Sequence, residues 1–324
     1  MNKTLLAVGT GALFLGTGVV SAGEAAKVYG RADVSYQYES YKYGADQDGN
    51  TFVLKSNASR FGVKGKKALD SHLSAIYQLE WEVDFTDKDT KNGDGDNILK
   101  ARNSFIGLSG AFGTVVAGTH DTPLKLAQGK VDLFGDLESD IKHVIEGEVR
   151  TNNVLQYSTP KIADSVVANF AIVPGEGFED GVSDVDNGVA DAISASVVYS
   201  TDDVFVAFAM DDSVDGLDST RLTGQVKVQD AKIGLIYQVS EPSDGPGDDE
   251  DGIILSASYK LGKEILKFQY GISDMKDAGL EQVSVGIDHK LEKKTKLYAF
   301  LTSTTTDVDT DEELILAAGI QHKF

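Results

Sequence analysis

The stretch His72-Leu-Ser-Ala-Ile-Tyr-Gln-Leu-Glu-Trp-Glu-Val-Asp-Phe85 decides the fold class. Leu73, Ala75, Tyr77, Leu79, Trp81, Val83 and Phe85 fall on one parity, and Ser74, Gln78, Glu80, Glu82 and Asp84 on the other. Side chains along a strand point to opposite faces in turn, so period two predicts a strand with one apolar and one polar face. The run lasts 14 residues. Strands of soluble sheets usually hold about five or six, whereas this length suits a tilted crossing of a bilayer. Similar segments recur at 28–38, 192–200, 222–228, 283–288 and 313–324.

The connections are of two kinds. Those at 110–113, 201–203, 229–231, 261–263 and 291–294 are very short, and those at 45–50, 87–97, 174–187, 211–218, 241–252, 274–279 and 306–312 are long and acidic. Short turns at one end and long loops at the other predict an all-β, transmembrane antiparallel barrel of the outer-membrane type, with both termini at the short-turn end. The segments between connections number about 16, an even count as that class requires. Pro123, Pro160, Pro174, Pro242 and Pro246 all fall in expected turns or loops, consistent with the exclusion of proline from strand interiors. No linker divides residues 23–324, which are read as one barrel domain. The longest interruption is 120–148, and loops of that length are usually functional or disordered. Leu133, Phe134, Val144 and Ile145 give it apolar surface to bury, so this third long loop is expected to fold into the lumen. Around 133–149 the pattern allows a short helix.

The first 22 residues carry Lys3, an apolar stretch over 5–20 and the small residues Ser21 and Ala22, the pattern of a cleaved secretory signal peptide. Beyond it no run of 18 apolar residues occurs, which excludes a helical membrane protein. There is no cysteine, so disulfides do not hold the fold. With 30 basic against 51 acidic residues and a formal net charge of −21, nucleic acid is excluded as a partner. The five histidines, His72, His120, His143, His289 and His322, stand in no zinc spacing and beside no G-x-S-x-G elbow, so no catalysis, cofactor or metal site is expected. The acid runs Asp248-Asp-Glu-Asp251 and Asp307-Val-Asp-Thr-Asp-Glu-Glu313 lack the glycine and terminal glutamate of a calcium loop and read as solvated loops.

Six runs then stand in a telling order: Val28-Tyr-Gly-Arg-Ala-Asp33, Ser59-Arg-Phe-Gly-Val-Lys-Gly65, 77–85, Arg102-Asn-Ser-Phe-Ile-Gly-Leu108, Phe112-Gly-Thr-Val-Val-Ala-Gly118 and 150–160, with Phe324 at the end. Together they resemble the general diffusion porins of Gram-negative bacteria, by motif over the signal, the first six strands and the C-terminus, and by pattern elsewhere. The resemblance implies a 16-stranded barrel, usually a homotrimer, set in outer-membrane lipid and lipopolysaccharide. It also implies a water-filled channel for passive diffusion of small hydrophilic solutes and ions, narrowed by the third long loop. Carried over by motif, the basic wall of that constriction is Arg31, Arg60, Arg102 and Arg150, facing the loop acids Asp132 and Asp136, with Glu138 beside them.

Alternation agrees with most of this assignment. Val28, Ala32, Val34 and Tyr36 take the outward parity and leave Arg31, Asp33, Ser35 and Gln37 inward. Phe61 and Val63 leave Arg60 inward, and Leu155 and Tyr157 do the same for Arg150, Gln156 and Ser158. Arg102 shares its parity with Ile106 and Leu108, so alternation does not settle it. Seven acids against three lysines over 120–148, with acidic outer loops, predict cation preference. The alternative is a substrate-selective porin with a solute-binding track. That calls for inward aromatics, for which Phe52 and Phe205 are open, whereas Tyr77, Trp81 and Phe85 lie on the lipid parity.

Overall fold

The computed structural model describes residues 26–43, 47–86, 99–175, 188–244, 247–307 and 311–324. The signal segment 1–22, the loop 87–97, Pro246 and most of 174–187 lie outside the described residues.

Sixteen strands cross the barrel, two of them in two pieces. They are β1 (Lys27–Tyr43), β2 (Gln47–Ser56 with Arg60–Ala68), β3 (Leu73–Val83), β4 (Leu99–Ala101 with Ser104–Gly110), β5 (Gly113–Asp121) and β6 (Arg150–Ser158). There follow β7 (Val166–Val173), β8 (Ala192–Ser200), β9 (Val204–Val214), β10 (Leu217–Val228) and β11 (Ala231–Pro242). The last are β12 (Glu250–Leu261), β13 (Glu264–Ser273), β14 (Leu280–Lys290), β15 (Thr295–Thr305) and β16 (Glu312–Lys323). Each strand pairs antiparallel with its neighbours in sequence, and β1 closes the ring on β16, from Arg31 opposite Lys323 to Lys42 opposite Glu312. Closure leaves no sheet edge, the condition for a sheet to cross a bilayer with every backbone group paired.

Polarity is inverted relative to a soluble fold. Gln37, Thr223, Gln238, Ser284 and Thr302 are buried, while Val28, Leu54, Ile106, Phe208, Leu255 and Leu316 are exposed on the other parity. That is the alternation of a barrel whose outer face meets lipid.

The strands outrun the alternation. The loop expected at 45–50 falls largely within the β1–β2 hairpin, where Asn50 lies opposite Ser40. The loop expected at 211–218 is a tight turn, with Asp215 and Gly216 at φ 57° and 76° and a bulge between Asp211 and Val214. Above the bilayer, ladder hydrogen bonds continue with no lipid to demand an apolar face. Pro242 is therefore the last residue of β11 rather than a loop residue, a strand end being a place where a missing donor is tolerated.

The helix allowed over 133–149 does not form. Between β5 and β6 there is only one α-turn, α1 (Pro123–Leu126), and a 3-10 turn over Ile141–His143. Thr122 caps α1 by accepting from the Lys125 amide at 3.1 Å. Farther on, side chains take the amides a helix would use: Asp132 accepts from Phe134, and Asp140 from both Asp136 and Lys142.

Two strands are broken for one reason. Val34 lies opposite Ser56 but Arg31 opposite Arg60, so β2 advances four residues while β1 advances three. Likewise Trp81 lies opposite Ala101 but Gln78 opposite Phe105. Each mismatch is a one-residue bulge, and one extra residue reverses the parity of everything beyond it. Arg102 thus shares a face with Glu80, to whose carbonyl its amide donates at 2.9 Å, while Ile106 is exposed on the outer face. The shared parity that left Arg102 unsettled in the sequence is broken by this bulge.

Candidate functional site

Three arginines meet one carboxylate. Arg31 and Arg60 are register partners on β1 and β2, and like charges directly opposite repel. Asp136 answers both: its Oδ2 accepts from Arg31 Nη2 at 2.8 Å and from Arg60 Nη2 at 2.7 Å, with Arg102 Nη2 at 3.9 Å from Oδ1. The β2 bulge contributes carbonyls freed from the ladder. Arg31 donates to those of Asn57 and Ala58, at 2.8 and 3.1 Å, and Arg60 Nε to that of Ala58 at 2.9 Å. Arg102 is fixed from its other side by Glu80 at 2.9 Å and Glu82 at 2.7 Å. Burial by itself would raise the Asp136 carboxyl, but Arg60, Arg31 and Arg102 together outweigh it and hold it well below the usual range.

Residues 122–149 carry Asp136 and are packed on the buried parity of the strands. Phe134 clusters with Leu137, Phe300, Ile315 and Ala317. Lys267 lies 4.3 Å over the Phe134 ring, donates to the Leu133 carbonyl at 3.0 Å and pairs with Asp288 at 3.2 Å. Val131, Ile141, Val144 and Ile145 join Ile236, Ile254 and Leu280 in a second cluster. Arg221, with no exposed surface, donates to Glu148 at 2.7 Å, to the carbonyls of Glu146 and Leu124 at 2.9 and 3.3 Å, and to Gln238 at 2.7 Å. Burial raises the Glu148 carboxyl even with Arg221 opposing.

Of the residues singled out in the sequence, Arg31, Arg60, Arg102 and Asp136 come together. Arg150 does not join them: it pairs with Asp121 at 2.9 Å and donates to Asn103 at 2.6 Å. Glu138 pairs with Lys55 of β2. Asp132 meets no arginine; it closes the turn onto Phe134, and burial, reinforced by Asp140, raises its carboxyl well above the usual value. Phe52 is exposed beside Tyr36 on the lipid parity, whereas Phe205 lies on the inner parity under Gly129.

The acid count over 120–148 overstates the free charge. Asp121, Asp136, Glu138, Glu146 and Glu148 pair with Arg150, Arg31 and Arg60, Lys55, Lys276 and Arg221. Lys55, Arg221 and Lys267 were missed by motif. Their alternation with Leu54, Leu222 and Leu266 was nonetheless the signal that places them inward. Among the described residues no group of three or more histidines and acids is arranged to hold a metal ion.

A closed 16-stranded antiparallel barrel, apolar outside and polar inside, is a membrane-spanning barrel of the outer-membrane class. The family model for Gram-negative porins matches residues 7–309, and the chain belongs to that family of outer-membrane channels, which are not enzymes. It is 26% identical over 352 aligned positions to outer membrane porin protein 32 of Delftia acidovorans, covering 99% of this chain and 95% of that one. Among solved structures it is similar to an anion-selective porin from Comamonas acidovorans, with a TM-score of 0.72 and 20% identity over 93% of this chain and 99% of that one. It is similar also to the in-vitro folded OmpT of Vibrio cholerae in its trimer form, with a TM-score of 0.64 and 17% identity over 93% of this chain and 99% of that one.

Proposed function

We propose that this porin forms a water-filled channel for passive diffusion of small hydrophilic solutes and ions, with residues 122–149 lying in the lumen as the third long loop. The observation that carries the reading is Asp136 held between Arg31 and Arg60, with Arg102 behind. Charged groups lining a narrow aqueous passage order its water, and an apolar solute must displace that water without replacing its interactions. Asp136 and these arginines form the constriction, Glu138 and Lys55 flank it, and Arg150 with Asp121 lies beside it. Asp132 supports the turn of the loop. The OmpT trimer form supports a homotrimer, and the exposed apolar parity supports an outer face set in lipid and lipopolysaccharide. Residues 1–22 act as the export signal.

Cation preference is the selectivity proposed, and its source is the excess of 51 acids over 30 bases across the whole chain. The loop contributes little to it, because five of its acids are paired. A second reading, anion preference, is favoured by the three guanidiniums that converge on Asp136, of which Arg102 is also paired with Glu80 and Glu82, and by likeness to an anion-selective porin. The substrate-selective alternative keeps Phe205 as an inward aromatic but loses Phe52.

Recording from the purified protein in a planar bilayer tests these readings. Stepwise conductance is expected, with a zero-current potential of cation-selective sign in a salt gradient. Absence of steps overturns the channel reading, and the opposite sign of potential replaces the first selectivity with the second.

A further inference from the structure

At the short-turn end of the barrel, below the segment 122–149, lies a cavity of about 360 Å³. Three amines line it, from three separate places in the chain: Lys130 of the segment, Lys227 of β10 and Lys232 of β11. Lys227 and Lys232 are direct register partners, so two like charges face each other across one strand pair. Both take the parity of the buried Thr223 and Ile236, the inner face. Two cations so placed destabilise a sheet unless something opposes them.

Lys130 is brought to this pair and held there. Gln225 Nε2 donates to its carbonyl at 2.7 Å. Gly129 before it, at φ +63°, sits so close on the Phe205 ring that an added Cβ would come within 2.6 Å of it. The Lys130 amine is lowered by burial and by Lys232, as crowding of like charges requires. The opposing acids are those of the turn, Asp202 and Asp203. Both are exposed, and Asp203 pairs with Lys227 at 3.6 Å.

We propose that this half-open cleft is a binding site for a small dianionic oxyanion of the phosphate type, entering from the short-turn mouth of the barrel. Three ammonium groups and the Gln225 amide supply donors around the anion without a metal, and the Phe205 ring forms a flat wall. A dianion offsets the Lys227–Lys232 repulsion, which a monovalent ion such as chloride does less well. The site is separate from the arginine cluster at Asp136 and gives an overall acidic barrel a local store of positive charge on one side.

Thermal unfolding of the detergent-purified barrel in rising inorganic phosphate, at ionic strength held constant with sodium chloride, tests the site without requiring conduction. Phosphate is expected to raise the unfolding temperature of the native chain, and Lys232→Gln or Lys130→Gln to weaken that response by about tenfold in phosphate concentration. Without phosphate, Lys232→Gln is expected to unfold no earlier than the native chain, because a like-charge pair has been relieved. In a bilayer, phosphate added at the short-turn side alone is expected to reduce the current. An equal response to chloride, or an undiminished phosphate response in both variants, overturns the proposal. Because unfolding is read separately from current, loss of the site and loss of the channel reading remain distinguishable.

Discussion

Arg31 and Arg60 stand directly opposite each other on adjacent strands and place their Nη2 atoms 2.8 and 2.7 Å from the same oxygen of Asp136. Two cations that repel are thereby tied by an anion from a distant part of the chain. Breaking this tie costs more than breaking a surface pair because all three groups are largely sheltered, each side chain being about a quarter exposed or less.

Neutralising Asp136 leaves three guanidiniums without their shared partner. Asp136→Asn is expected to move the zero-current potential toward anion preference. It is also expected to destabilise the barrel by on the order of 1–3 kcal/mol, less than for a fully buried pair because water reaches the site. A salt-gradient recording and a denaturant titration check the two halves. An unchanged potential would remove Asp136 from the constriction.

Arg221 ties together the two ends of the segment, through Glu148 and the carbonyls of Glu146 and Leu124. Arg221→Met keeps bulk but strands Glu148 in a buried site, at a cost of about 3–5 kcal/mol. Limited proteolysis is expected to open new cuts within 122–149 while the strands stay resistant. A digest identical to that of the native chain would contradict this anchoring role.

The acids of the segment pull pH dependence in opposite directions. The Asp132 carboxyl is raised by burial and by Asp140, so its contribution is full below the unfolded value of about 3.9 and is lost as pH rises through its folded value. For Asp136, burial is outweighed by the arginines, so its contribution is present above about 3.9 and lost as pH falls through its lowered value. Asp132→Asn is therefore expected to stabilise the barrel at neutral pH and to flatten the loss of stability as pH rises from about 4. Unfolding rates across that range decide the matter, and a native-like slope in the variant would count against it.

The β4 bulge makes a prediction that strict alternation does not. Ile106 and Arg102 share numerical parity yet face opposite sides. Ile106→Arg is expected to cost about 2–4 kcal/mol in a folding assay in lipid, the penalty for an arginine turned to hydrocarbon near mid-bilayer. Toleration at native stability would mean that Ile106 faces water.

The 14-residue alternation over 72–85, the two kinds of connection and the absence of long apolar runs determined, by sequence alone, a membrane barrel of about 16 strands. They sufficed because lipid outside and water inside impose a polarity rule on every strand residue, and that rule repeats locally. The inward side of Arg31 and Arg60 was legible for the same reason. Only the tertiary structure decided that Arg102 turns inward, because a bulge is set by the register of the partner strand, not by the residues of β4. It alone decided that Asp136, rather than Asp132, meets the arginines, since the segment's path is dictated by where Leu133 and Phe134 find partners, Lys267 of β13 and the apolar residues of β15 and β16. It also showed that most acids of 120–148 are paired. Charge in a sequence is a count, whereas the field in a channel depends on which charges lie beside one another.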